Sequence, residues 1–172
     1  EDEMKHTLLI ITAVMLIVGC ETQREIIVAK WSNGTPKKVN YVVGEGVKQE
    51  IVGRIIYYRN GEIEIKGEYE KGKKHGEHKY YDKNGQIIKE ETYKNGKLDG
   101  QFTGWYENGQ KKEEGTYKDG EGYGLHTIWY ENGQKEYEGT FKDGILDGKV
   151  TGWHENGQKK IEATYKDGEV ID

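Results

Sequence analysis

The chain has 172 residues, 26 Lys and Arg against 31 Asp and Glu, a net charge of -5 and 33% hydrophobic residues. With 25 Gly and only 2 Phe it lacks the greasy content of a two-layer core, while 13 Tyr and 4 Trp set it apart from disordered chains. Acids and bases interleave along its length, which excludes the basic footprint of a nucleic-acid binder.

The first element is an apolar run inside "MKHTLLIITAVMLIVGC", which begins at Met4. Lys5 supplies a short basic start, and the run from Leu8 to Gly19 is shorter than the ~20 residues a membrane-crossing helix needs. This is the anatomy of a helical signal peptide over residues 1–19, with Met4 as the expected start. Ile17-Val18-Gly19-Cys20 resembles a bacterial lipobox. That resemblance implies cleavage before Cys20, acylation of its thiol, and attachment to a membrane through the lipid. Several acyl chains anchor stably because each buried methylene contributes about 0.8 kcal/mol. Cys20 is the sole cysteine, so no intramolecular disulfide can form.

Residues 20–51 are less regular. "REIIVAKWSNGTPKKVNYVV" reads as a hairpin through Asn33-Gly34 with apolar strands on both sides, an atypical N-terminal cap.

From residue 52 to 172 a period of 24 takes over. Asn-Gly pairs stand at 60-61, 84-85, 108-109, 132-133 and 156-157, and a second series places Gly72, Gly96, Gly120, Gly144 and Gly168 midway between them. Aromatics mark both halves: Tyr57, Tyr81, Trp105, Trp129 and Trp153 before the first turns, and Tyr69, Tyr93, Tyr117, Phe141 and Tyr165 before the second. Each unit is therefore two strands and two turns. Asn-Gly and Asp-Gly suit two-residue type I′ loops, which need positive φ at both central residues. The expected fold is all-β, an elongated single-sheet array of antiparallel β-hairpins, each repeat burying its aromatics against its neighbours.

Two-residue loops throughout would set Trp105 opposite Lys112, Lys112 opposite Thr127 and Phe102 opposite Gly115, with "KLDG" the segment where a longer loop would disturb this. Because 24 is even, the Trp series shares one face and the Tyr69 series the other, joined there by Tyr106 and Tyr130. Successive Trp rings then lie roughly 10 Å apart, with Lys112 and its equivalents between them. Gly67, Gly115 and Gly139 leave room for a cross-strand ring over the backbone.

"EGTYKDGEGYG" and "EGTFKDGILDG" resemble the MORN repeat, and "GWYENGQKKEEGTYKDG" resembles the bacterial MORN-variant repeat found in proteins labelled as YwqK-type antitoxins. The resemblance covers residues 52–172. It implies an array of 24-residue β-hairpin units with an interaction role. Glu91 and Ala163 stand where the pattern has glycine, and "GEGYG" departs from it too, which suggests locally altered turns.

Chemistry is sparse. Catalysis needs one asymmetric constellation, whereas equivalent residues here are spread evenly, so no catalytic, cofactor or metal residues are expected. The histidines, His6, His75, His78, His126 and His154, are read as scattered, not as a series. His75 and His78 form H-x-x-H, but residues three apart on a strand face opposite ways, so both are expected to be exposed polar residues near Gly76. Tyr57, Tyr81, Trp105, Trp129 and Trp153 are the candidate binding surface, with cross-strand packing as their competing role. The expected function is a non-enzymatic, exported, lipid-anchored binding or scaffolding module of the cell envelope with a protein partner. A cytoplasmic antitoxin acting by direct contact is the alternative, and a surface glycan or lipid-headgroup binder the third.

Overall fold

A computed structural model describes residues 17–18, 21–44 and 48–172. The signal-peptide segment and Cys20 lie outside the described residues, apart from Ile17 and Val18. Those two form a short strand, β1 (Ile17–Val18), paired with β2 (Glu21–Thr22), not the helix expected there. The rest is one antiparallel sheet of thirteen strands in sequence order, open at both edges. It runs through β3 (Arg24–Lys30), β4 (Pro36–Val43), β5 (Glu50–Tyr57), β6 (Ile63–Glu70), β7 (Lys73–Tyr81), β8 (Ile87–Lys94) and β9 (Lys97–Trp105). It continues through β10 (Lys111–Lys118), β11 (Glu121–Trp129), β12 (Lys135–Lys142), β13 (Ile145–Trp153), β14 (Lys159–Lys166) and β15 (Glu169–Val170). The cap hairpin β3–β4 continues directly into the repeats through β5.

The two turn series differ, and this corrects the expectation of one loop type. At Lys71, Asn95, Asp119, Asp143 and Asp167, φ is 48–53°, and the glycine that follows each is also positive. These are two-residue type I′ loops, closed by pairs such as Lys118↔Glu121. In the Asn-Gly series only the glycine has positive φ. There the Tyr106 N–H donates to the Gln110 carbonyl (2.9 Å) and the Gly109 N–H to the Tyr106 carbonyl (2.9 Å). The loop thus has three residues, a type I turn followed by a left-handed glycine.

The extra loop residue moves the register near each Asn-Gly turn. Phe102 does lie opposite Gly115, but Trp105 pairs with Lys111, not Lys112. On the other side of β10, Glu114 pairs with Thr127, so the expected Lys112–Thr127 pair does not form. The cause is a bulge of two residues on β11 around Gly124 (φ 72°), repeated at Gly76, Gly100 and Gly148 on β7, β9 and β13. "KLDG" therefore follows the tight Asn95-Gly96 turn and carries a bulge inside β9, and it is not a longer loop. A shift of two preserves which face each residue takes, so the expected division of the aromatics between faces holds. Tyr106 and Tyr130 are the exception. They close the three-residue loops on their N-terminal side and run along the edge, their hydroxyls donating to the carbonyls of Trp129 (2.7 Å) and Trp153 (2.8 Å).

Both faces carry only partial cover. Among the described residues the buried aliphatics are Val39, Val42, Ile55 and Val150.

Candidate functional site

Pairing carries one row across the sheet: Ile55, Lys66, Lys79, Glu90, Thr103, Glu114, Thr127, Glu138, Thr151, Glu162. Two positions further along the odd-numbered strands, on the same face, stand Tyr57, Tyr81, Trp105, Trp129 and Trp153. All five are half-buried. Lys111 lies with its ammonium 5.8 Å from the Trp129 ring centre, and Lys135 lies 5.8 Å from that of Trp153. A lysine does sit between successive tryptophans, as the alternation required, but it is Lys111 and not Lys112, whose ammonium instead approaches Tyr106.

Lys111, Lys135 and Lys159 are each ion-paired to the glutamate three residues on, Glu114, Glu138 and Glu162. These pairs are largely exposed and contribute about 0–1 kcal/mol each. Their effect is positional: they hold the ammonium groups close to the indole series. Among the described residues only Trp31 uses its indole N–H within the protein, donating to the Tyr57 carbonyl at 3.1 Å. Near the N-terminal end the same face holds a cavity of about 520 Å³. Gly53 opens its floor, Tyr41 and Tyr81 wall it, and Lys66, Lys79, Glu68 and Glu77 add polar groups. Tyr81 is the one predicted surface residue that lines it.

The opposite face holds what sequence reasoning missed. His78, expected to be exposed, is 0% exposed. Its ring stacks edge-on between Tyr69 (5.3 Å) and Tyr93 (4.9 Å), and Nε2 donates to the Glu68 carbonyl at 2.8 Å. His126 does the same between Tyr117 (5.2 Å) and Phe141 (4.9 Å), donating to the Thr116 carbonyl at 2.8 Å. A Cβ on Gly67 or Gly115 would overlap these imidazoles. The rings that cover the backbone at the first two glycines are therefore histidines of the following strand. His78 and His126 are 48 residues apart, two whole periods, so they are a series and not scattered residues. The strands "KKHGEHKYY" and "EGYGLHTIW" alternate with "KLDGQFTGW" and "ILDGKVTGW". The bulge glycines alternate too, φ 66° and 72° in the histidine strands against 133° and 132° in the others.

Glu91, in a glycine position, alters no turn. It lies mid-strand in β8 and is 7% exposed. The Tyr93 hydroxyl donates to it at 2.7 Å, and the Lys89 ammonium pairs with it at 3.0 Å. Burial pushes its carboxyl up, but the hydrogen bonds from Tyr80, Tyr93 and Lys89 outweigh this, and the net direction is down. Lys74 donates to the Tyr80 (2.8 Å) and Tyr93 (3.1 Å) hydroxyls and is lowered by burial, while burial and the nearby Glu91 raise the Tyr93 hydroxyl to about 12. Burial also lowers His78, whose Nδ1 has no hydrogen-bond partner and sits over Gly67. Among the described residues no three His, Cys, Asp or Glu are grouped to hold a metal ion, and no helix is long and apolar enough to cross a membrane.

Hairpins closed by a three-residue Asn-Gly loop, joined by type I′ turns and presenting one aromatic column per face, define a β-hairpin repeat protein. The chain belongs to the MORN repeat variant family, whose profile matches residues 54–71, 74–95, 98–119, 123–143 and 146–167. MORN repeats in general are protein- and membrane-binding modules. No curated protein matches the chain.

Proposed function

We propose that the chain is a non-enzymatic binding or scaffolding module of the cell envelope, tethered to a membrane through lipidated Cys20. Its tryptophan face is the binding surface, and a protein is the partner. One observation carries the surface assignment. Trp105, Trp129 and Trp153 are half-buried on one face at a two-strand interval, with their indole N–H groups unused among the described residues. Large amphipathic rings that are partly exposed are among the side chains that dominate interface hot spots. The even distribution of equivalent residues supports a binding role over catalysis. The membrane tether rests on Ile17-Val18-Gly19-Cys20 alone. The ~10 Å interval between rings also suits an extended ligand of regular repeat, which is what favours a glycan as the second reading.

Two measurements test this. In the full chain, Trp105→Ala and Trp129→Ala should each cost about 2 kcal/mol, roughly half the loss of a fully buried ring. Capture of a protein from envelope extract, assayed well below the melting temperature, should fall for both. Undiminished capture by both variants rules out the tryptophan face. If purified cell-wall polysaccharide, not protein, shows Trp-dependent binding, the glycan reading replaces the protein one. For the tether, Cys20→Ser should abolish labelled-palmitate incorporation and leave an uncut precursor. Normal processing and membrane fractionation of that variant would exclude lipidation, and a cytosolic pool of the unmutated chain would favour the antitoxin alternative.

A further inference from the structure

Seven of the eight asparagines precede glycine, the pair with least steric protection against attack of the glycine nitrogen on the asparagine amide. In that reaction the glycine N–H loses its proton as its nitrogen bonds to the side-chain carbonyl carbon, and ammonia leaves. Water then opens the succinimide to aspartate or isoaspartate. Each of the seven glycine N–H groups is hydrogen-bonded to a backbone carbonyl, six within their own turns, as Gly109 to Tyr106 at 2.9 Å, and Gly96 to Lys74 in β7 at 2.8 Å. Every site must therefore open locally before it reacts. The turns differ in what holds the side-chain amide.

Four of these amides are bridged to a neighbouring turn. Asn33, Asn60, Asn108 and Asn132 donate to the carbonyls of Arg59, Lys83, Glu131 and Glu155 at 2.8–3.0 Å. Each also accepts an N–H from the residue two positions on. Asn84 and Asn156 have only partners inside their own loops, Asp82 at 3.3 Å and Gln158 at 3.4 Å. Asn95 is exposed, and its side chain makes no hydrogen bond to any described residue. It is also the one asparagine in a type I′ turn, with φ 53°.

We propose that Asn95 is a spontaneous deamidation site of the folded protein, and that the other six Asn-Gly pairs are protected in proportion to how their amides are bridged. The aspartate product fits without rearrangement. Asp119, Asp143 and Asp167 occupy the same repeat position with φ 52°, 49° and 48°. The new carboxylate would stand beside Lys94 and Lys97, the pair that closes the loop. The isoaspartate product adds a main-chain carbon to a two-residue loop, which cannot keep the type I′ geometry.

The test incubates the full-length folded protein at mildly alkaline pH, with a parallel sample in denaturant. Peptide mapping by mass spectrometry follows amide-to-acid conversion and isoaspartate at each pair. In the folded sample Asn95 should convert first, Asn84 and Asn156 next, and Asn108 and Asn132 about tenfold more slowly than Asn95, the factor expected for one bridging hydrogen bond. In denaturant the seven rates should converge. Asn108 or Asn132 reacting as fast as Asn95 in the folded protein overturns the proposal. So does the same rank order persisting in denaturant, which would assign the effect to local sequence. An Asn95→Asp variant should melt with the unmodified chain; a lowered melt refutes the claim that the product is accommodated.

Discussion

Between β5 and β8 the histidine face is held by charge and hydrogen bonds. Arg54 stacks over Tyr69 (4.6 Å) and donates to Asn40, while Glu91 gathers Lys89, Tyr93 and, through the phenols, Lys74. Between β9 and β14 the same rows are apolar. Phe102, Tyr117, His126 and Phe141 form a run of edge-on rings at 5.8, 5.2 and 4.9 Å, ending near buried Val150. The two regions share their turns, strand lengths and bulges. The fold is thus set by the turn chemistry and register, and the face can be filled by either means. Where glycine gives way to Glu91 inside the array, two ammonium groups and two phenols accompany it, whereas Ala163, at the same repeat position in β14, lies opposite the aliphatic Val150.

The two regions differ most in their dependence on Glu91. Removing its carboxylate by Glu91→Ala leaves Lys89 and Lys74 uncompensated and the Tyr93 hydroxyl without its acceptor. The expected loss is about 3 kcal/mol by denaturant titration. In the apolar region the matching change is Gly115→Ala. Its Cβ would displace His126 and break the bond to the Thr116 carbonyl, for about 2 kcal/mol. If Gly115→Ala is neutral, the histidine is not what occupies the space above that glycine.

Acid should separate the regions as well. Burial holds His78 below its ordinary pKa, so the unfolded chain takes up the proton first. Its contribution is complete above about pH 6.5 and is lost as pH falls from there toward its folded pKa. Glu91, held low on balance, contributes above the ordinary carboxylate range near pH 4.3, and that contribution is lost as pH falls through its folded pKa. Stability of the intact chain should therefore decline below about pH 6.5, in two stages. His78→Phe, which puts in β7 the residue that β9 carries at position 102, should flatten the upper stage. An unchanged slope would mean that His78 titrates normally when folded.

Much of this was legible. The 24-residue period, the hairpins, the single sheet and the division of aromatics between faces all follow from glycine spacing and the parity of the repeat. Loop type was not legible from Asn-Gly alone, because the pair serves both a type I′ loop and a type I turn with a left-handed glycine. The one-residue difference moved the lysine between the rings from Lys112 to Lys111. The 48-residue alternation was present in the strings "GEH" and "GLH" against "DGQF" and "DGKV", and was hidden by aligning every repeat to one pattern. His78 was misjudged for a physical reason. In a bulged strand a polar ring can bury itself over a glycine and satisfy Nε2 on the preceding strand, with no sequence signal beyond that glycine.

The smallest expected effect lies at the junction of the two regions. Along the Asn-Gly edge, Tyr58, Tyr106 and Tyr130 donate to the carbonyls of Tyr81, Trp129 and Trp153 at 2.7–2.8 Å, stitching each loop to the next on that edge. Asp82 holds the equivalent position and turns inward, accepting the N–H groups of Asn84 (2.8 Å) and Gln86 (2.9 Å). Asn84 then bonds Asp82 where its counterparts reach the neighbouring loop. The stitch is missing where the polar and apolar regions meet, and a cavity of about 420 Å³ between Tyr58 and Glu107 marks the place. Tyr106→Phe should cost about 1 kcal/mol, the worth of one hydrogen bond. Asp82→Tyr should gain about 0.5 kcal/mol: the new hydroxyl reaches the Trp105 carbonyl and Asn84 is released toward Glu107, offset by the two N–H bonds Asp82 gives up. Asn84 Oδ1 would recover the Gln86 N–H, as Asn60 does for Glu62 at 3.1 Å. Thermal melts of both variants decide it. A loss in Asp82→Tyr as large as in Tyr106→Phe would mean that the gap is itself required, and that the two regions are kept apart on that edge.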